Sequence, residues 1–245
     1  MDFKVYIKKG MRSFWKRRKI GLQDIQAVSY THLTIVNVET AYPRGNSPRD
    51  LEAADKYDLF YNRVFLDPAI LGHYEEGFFD LLNQHDILMD YTTEELEIIQ
   101  NNTVDWVGIN LYHPNRVKER TTAIHPDAPF HPDFYYEDFN MPGKKMNPHR
   151  GWEIYPKIMY DMAMRMKNHY NNFEWFIAES GMGVENEKQY KDETGMIQDN
   201  YRIEFIKMHF CLLYTSFHKI CLHESINIGD VVFEGIDEYE IDKKD

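Results

Sequence analysis

An apolar run ends on a carboxylate and then breaks at glycines: Trp175, Phe176, Ile177 and Ala178 lead into Glu179, and Ser180, Gly181, Met182 and Gly183 follow. Aromatic and β-branched residues followed by glycines predict a buried strand that delivers Glu179 to its C-terminal end. Barrel enzymes place their chemistry at that end, where a carboxylate can act on a substrate lying over the sheet. The plainer alternative is a solvated charge closing a strand. A second apolar run, Val104 to Asn110, leads through Leu111 to Tyr112. An amide and a phenol at a strand end can hydrogen-bond a neighbouring carboxylate, or they can simply turn the chain and pack. Trp152 offers a flat face for stacking if it lines a cleft, and is otherwise a core residue. The 11 histidines suggest metal chemistry but lack its spacing, since His125 and His131 sit among prolines and His218 and His223 lie in the tail. No metal and no cofactor is expected.

The elements that must position these groups alternate. Ile35 to Val38 reads as a strand. Ser47, Pro48 and Asp50 then supply a capping hydroxyl, a helix-starting proline and a first-turn acid for a helix reaching about residue 65. Thr92 with Glu95 predicts a capping box for a helix through about residue 99, ahead of the strand that ends at Asn110. Ile158, Met162 and Met166, with Met159 and Ala163, form a helical apolar stripe leading through Tyr170 to the Glu179 strand; its methionines read as core filler. A last helix is expected near residues 201–209. Strand and helix in alternation predict an α/β fold, a parallel sheet wrapped by helices. Residues 121–148, rich in Pro, His, Asp and Tyr, read as a long irregular excursion of the kind that lines sites.

Composition narrows the partners. With 40 acidic against 28 basic residues the net charge is −12, which argues against nucleic acid and anionic membrane surfaces. No apolar stretch of about 18 residues is present to span a membrane, and the N-terminal residues lack the apolar core of a secretion signal, so a cytoplasmic protein is expected. Cys211 and Cys221 fit neither a disulfide framework nor a zinc site. The ends differ from the middle. Lys4, Lys8, Lys9, Arg12, Lys16, Arg17, Arg18 and Lys19 oppose the single acid Asp2, and no binding motif accompanies them, so this reads as a solvated charge run. Residues 27–34 and 211–216 resemble joins foreign to a fold. The expected organisation is therefore a basic N-terminal segment, 1–34, a β/α unit, 35–209, and an acidic tail, 210–245.

Residues 175–184 resemble the nucleophile segment of glycoside hydrolase family 1, usually Thr-Glu-Asn-Gly, with Ala178 and Ser180 at the flanking positions. Asn110, Leu111 and Tyr112 resemble the family's Asn-Tyr-Tyr, departing at the middle position. Residues 113–117, His-Pro-Asn-Arg-Val, and the strings over 141–148 and 151–156 are similar to the family's 6-phospho-β-glucosidase branch. The resemblance covers about residues 35–209. It implies an incomplete (β/α)8 TIM barrel, roughly strands five to seven with their helices. Retaining hydrolysis of a β-glycoside uses two carboxyl groups about 5–5.5 Å apart, one attacking the anomeric carbon and one protonating the leaving oxygen. The resemblance makes Glu179 the nucleophile, Tyr112 the residue that orients it, and Asn110, Tyr112 and Trp152 candidate sugar contacts. It implies a β-glucoside or 6-phospho-β-glucoside substrate. The family's acid/base glutamate lies in Asn-Glu-Pro, a string this sequence does not contain. The reading is therefore hydrolysis by the full-length parent, with this chain a fragment inactive alone; a plain β-glucosidase of the same family, or a noncatalytic sugar-binding or structural remnant, are the alternatives.

Overall fold

The computed structural model describes residues 32–125 and 127–210. The basic run, both cysteines, His218, His223 and nearly all of the two expected terminal segments lie outside the described residues. In chain order the elements are β1 (Leu33–Asn37), β2 (Ala41–Pro43), α1 (Pro48–Asp58), a π-helical turn (Leu59–Arg63), α2 (Val64–Ile70), α3 (Phe78–Gln84), α4 (Thr93–Gln100), β3 (Trp106–Asn110), β4 (Asn115–Glu119), β5 (Tyr136–Asp138), α5 (Ile158–His169) and β6 (Trp175–Glu179). Helical backbone over 200–210 follows and is called α6. The boundary expected between residues 34 and 35 falls inside β1, where Leu33 and Thr34 pair with Trp106 and Val107.

The helix starts follow from their caps. Ser47 Oγ accepts from the Asp50 amide at 3.1 Å with Pro48 in the first turn, and Thr92 and Glu95 exchange both bonds of a capping box at 3.1 and 3.2 Å. Helical backbone then runs past the expected end near residue 65 to Ile70, because the π-helical turn joins α1 to α2 without a break.

β1, β3 and β6 form a parallel sheet in the order β1-β3-β6. One face carries the core: Val36, Val107 and Ile109, extended by Val38 and Leu111, close against Leu66 and Ile70 of α2 and Ile158, Met159, Met162 and Met166 of α5. The methionine stripe is core, as its spacing indicated. The other face is open among the described residues. Leu33, Ile35, Trp106 and Phe176 are 52, 54, 42 and 38% exposed, so β6, expected to be buried, is half-buried. Its continuous apolar run has the pattern of a strand covered on both faces, and only one cover is present among the described residues. Gly108 sits at the centre of that open face, where a β-carbon would stand about 3.0–3.1 Å from Ile35, Ala178 and Phe176.

A second sheet, β2-β4-β5, lies beside α1 and buries Ala53, Tyr57, Val117 and Tyr136. β5 and a short 3₁₀ turn (Pro132–Phe134) fall within the stretch expected to be irregular. The β4–β5 pairing is antiparallel and short, too short for periodicity to show in a Pro- and Asp-rich segment.

Candidate active site

The parallel register brings three polar residues to one edge. Asn37 of β1 pairs with Asn110 of β3, and Asn110 pairs with Glu179 of β6 across an irregularity that follows Ile109. The strand ends are tied beyond the sheet: the Val38 amide donates to Asn110 O at 3.0 Å, and the Leu111 amide to Glu179 O at 2.8 Å. These bonds fix the backbone from which Glu179 and Tyr112 project.

Tyr112 Oη donates to Glu179 Oε2. The carboxylate that receives this bond, together with partial burial, raises Tyr112 above the ordinary phenol range, so the hydroxyl stays a donor through the neutral range. Asn110 presents a buried Oδ1 that has no hydrogen-bond partner among the described residues, beside the Glu179 strand end. Trp152 belongs to none of the core clusters; its ring lies 5.6 Å from Tyr112 and 4.7 Å from His113, tilted against both. All four residues singled out in the sequence therefore gather at the C-terminal edge of the sheet: Glu179 and Tyr112 by a hydrogen bond, Asn110 by register and Trp152 by ring contact.

Residues that sequence reasoning passed over hold this edge. Arg116 of β4 grips Glu153 through two bonds, Nε to Oε2 at 3.0 Å and Nη2 to Oε1 at 2.7 Å. Both side chains are nearly buried, and the guanidinium lies over the rings of Tyr42 and Tyr155 at 4.8 and 4.5 Å. The Glu153 hydrogen bond holds Arg116 above its ordinary range. Tyr42 donates in turn to Asp161 at 2.6 Å, which ties the second sheet to α5. Glu153 follows Trp152 directly, so the pair anchors the segment that carries the tryptophan. Its members are 37 residues apart, and no local spacing marks them. Asn37 carries no signal either, because only the register reveals it.

Among the described residues no group of three or more His, Cys, Asp or Glu is placed to hold a metal ion, and no helix is long and apolar enough to cross a membrane.

A carboxylate hydrogen-bonded by a tyrosine at the C-terminal edge of a parallel sheet, with helices packed on one face of the sheet, is an arrangement of the β/α class. More narrowly, the chain belongs to glycosyl hydrolase family 1, whose family model matches residues 23–227. It is 50% identical over 185 residues to the 6-phospho-beta-glucosidase GmuD of Bacillus subtilis, a match that covers 76% of this chain and 40% of that protein. A 6-phospho-beta-galactosidase of Leptotrichia buccalis is 30% identical over 188 residues, 69% of this chain and 39% of its own length. The family 1 β-glucosidase of Thermotoga maritima superposes with a TM-score of 0.68 at 22% identity, over 89% of this chain and 46% of that one, and so shares the fold. The chain spans about two fifths of the length of these curated relatives.

Proposed function

We propose that the full-length protein built around this site hydrolyses β-glucosidic bonds with retention, that its substrates are 6-phospho-β-glucosides, and that Glu179 is its nucleophile. The observation that carries the reading is the Tyr112 hydroxyl donating to Glu179 at the edge of the parallel sheet. In the first step a Glu179 oxygen bonds the anomeric carbon, the bond to the aglycone oxygen breaks, and a second carboxyl group gives that oxygen its proton. In the second step water bonds the same carbon and the bond to Glu179 breaks, while the second group, now a carboxylate, takes a proton from that water. Tyr112 aims the carboxylate, Asn110 contributes its free amide oxygen to a sugar hydroxyl, and Trp152 supplies a stacking wall. No Asn-Glu-Pro occurs in the chain, and we assign the acid/base role to none of its residues. On this reading β1, β3 and β6 are strands five to seven of an eight-stranded barrel.

The phosphorylated substrate is supported by the 50% identity to the Bacillus subtilis 6-phospho-beta-glucosidase and by the strings over 113–117 and 141–156. A substrate phosphorylated before hydrolysis belongs in the cytoplasm. The test is a hybrid enzyme in which this chain's matching residues replace those of the Bacillus subtilis relative, assayed with 4-nitrophenyl β-glucoside and its 6-phosphate while NMR follows the released sugar. Release of the β-anomer first, with preference for the phosphorylated substrate, is expected. First release of the α-anomer, or a folded hybrid that turns over neither substrate, would overturn the reading. Preference for the plain glucoside would keep the reaction and correct the substrate.

A further inference from the structure

The chain that leaves Glu179 is held from two sides. Arg202 of α6 donates through Nε to the Met182 carbonyl at 3.2 Å, and Asn147 donates through Nδ2 to the Gly183 carbonyl at 2.8 Å. Asn147 is the more unusual of the two, because it is a polar side chain only 1% exposed, in a stretch of mostly exposed residues. Every one of its polar groups has a partner. Its Oδ1 accepts from the His149 amide at 3.1 Å, its amide donates to the Trp152 carbonyl at 2.7 Å, and its own carbonyl accepts from the Gly151 amide at 3.0 Å. Asn147 thus closes the turn that presents Trp152 and, with the same side chain, holds the loop behind Glu179. The turn is seated independently by the Met146–Glu153 bridge and by the Glu153–Arg116 pair.

We propose that Asn147 is a positioning residue of the active site: its carboxamide couples the turn carrying Trp152 to the loop that follows Glu179, and so fixes the stacking wall at one distance and angle from the carboxylate. This rests on the reading of Glu179 as the nucleophile. A buried carboxamide paired at both its oxygen and its nitrogen is costly to replace, because each lost bond leaves a backbone carbonyl or amide without its partner. Asn147→Asp is the informative variant, since it keeps volume and the bond from His149 while replacing the donor toward Gly183 O with a second acceptor. Misplacing a wall by about 1 Å can cost about 100-fold in rate, so a coupling of this kind acts mainly on kcat.

Hydrogen exchange on the 245-residue chain tests the coupling without any catalysis. Asn147→Asp should speed exchange in peptides covering 180–186 and 150–154 together, by about tenfold, while the α5 peptide over 158–169 stays within twofold. In the hybrid enzyme the same substitution should lower kcat by about tenfold or more and change KM less than threefold. Asn147→Ala should repeat the exchange result, and if it does not fold the isosteric variant decides alone. Exchange at 180–186 that stays within twofold of the parent overturns the coupling. A kcat within twofold of the parent, in a hybrid that turns over substrate, overturns the positioning role and leaves the proposed reaction standing. A parent hybrid without activity counts against the reaction, and the exchange result still decides the coupling.

Discussion

Removing the Tyr112 hydroxyl is the sharpest perturbation available. Tyr112→Phe leaves the ring against Trp152 and deletes only the donor to Glu179 Oε2. A hydrogen bond to a charged group contributes about 1.5–3 kcal/mol, and because this pair sits at an exposed edge the low end applies. At 1.36 kcal/mol per tenfold in rate, about 1.5 kcal/mol predicts a loss of roughly 10- to 15-fold in attack on the anomeric carbon. The assay should isolate that step. A 2-deoxy-2-fluoro-β-glucoside with a dinitrophenol leaving group needs no general acid, so the rate of covalent inactivation of the hybrid enzyme reports the nucleophile alone. Ring packing is preserved, so substrate affinity should change little. Inactivation within twofold of the parent would refute the orienting role of Tyr112. A large change in affinity at an unchanged rate would instead make Tyr112 a sugar contact.

Other outcomes follow from the packing around the site. Glu153→Gln removes the charge that faces Arg116 in a nearly buried pair and should lower stability by about 3–5 kcal/mol, read as a shift of the urea midpoint without a change in slope. Met162→Ala, at a position 1% exposed against the sheet, should cost about 2–5 kcal/mol in the same measurement. Burial pushes Asp58 up, but Arg165 with its two hydrogen bonds outweighs it, so the net pKa is lowered. A carboxylate lowered on folding contributes stability that is present above its unfolded pKa and is lost as pH falls through the folded one. The urea midpoint should therefore drop with acidification below the ordinary carboxylate range, and Asp58→Asn should flatten that dependence as well as lowering stability at neutral pH. Trp152→Ala should lower kcat/KM for the glucoside by about tenfold or more, as expected for a lost stacking face, and a kcat/KM unchanged within twofold would place the ring outside the sugar site.

The parts of this fold governed by local rules were readable in the residues. The caps at Ser47 and Thr92, the stripe of Ile158, Met162 and Met166, and the delivery of Glu179 to a strand end each follow from short-range chemistry or from a single period. The features missed depend on pairing over long separations. β2, β4 and β5 are strands of three to five residues whose partners lie far along the chain, so no period had room to repeat. The Arg116–Glu153 pair and the Asn147–Gly183 bond likewise join segments 36 or 37 residues apart. Half-burial of β6 went unread for a different reason: an apolar run records the cover a strand was selected to have, and the open face over Gly108 shows which cover is present here. At the site itself, Glu179, Tyr112 and Asn110 stood out because strand ends were legible, whereas Asn37 appears only when β1 is laid in register against β3.

The most direct test of the central claim is to map the covalent label. The hybrid enzyme is inactivated with the fluoro-glucoside 6-phosphate, digested, and sequenced by tandem mass spectrometry. One labelled peptide is expected, containing residues 175–184, with the sugar ester on Glu179, and no label in a Glu179→Gln variant. A label on another carboxylate, or equal labelling in that variant, would contradict it.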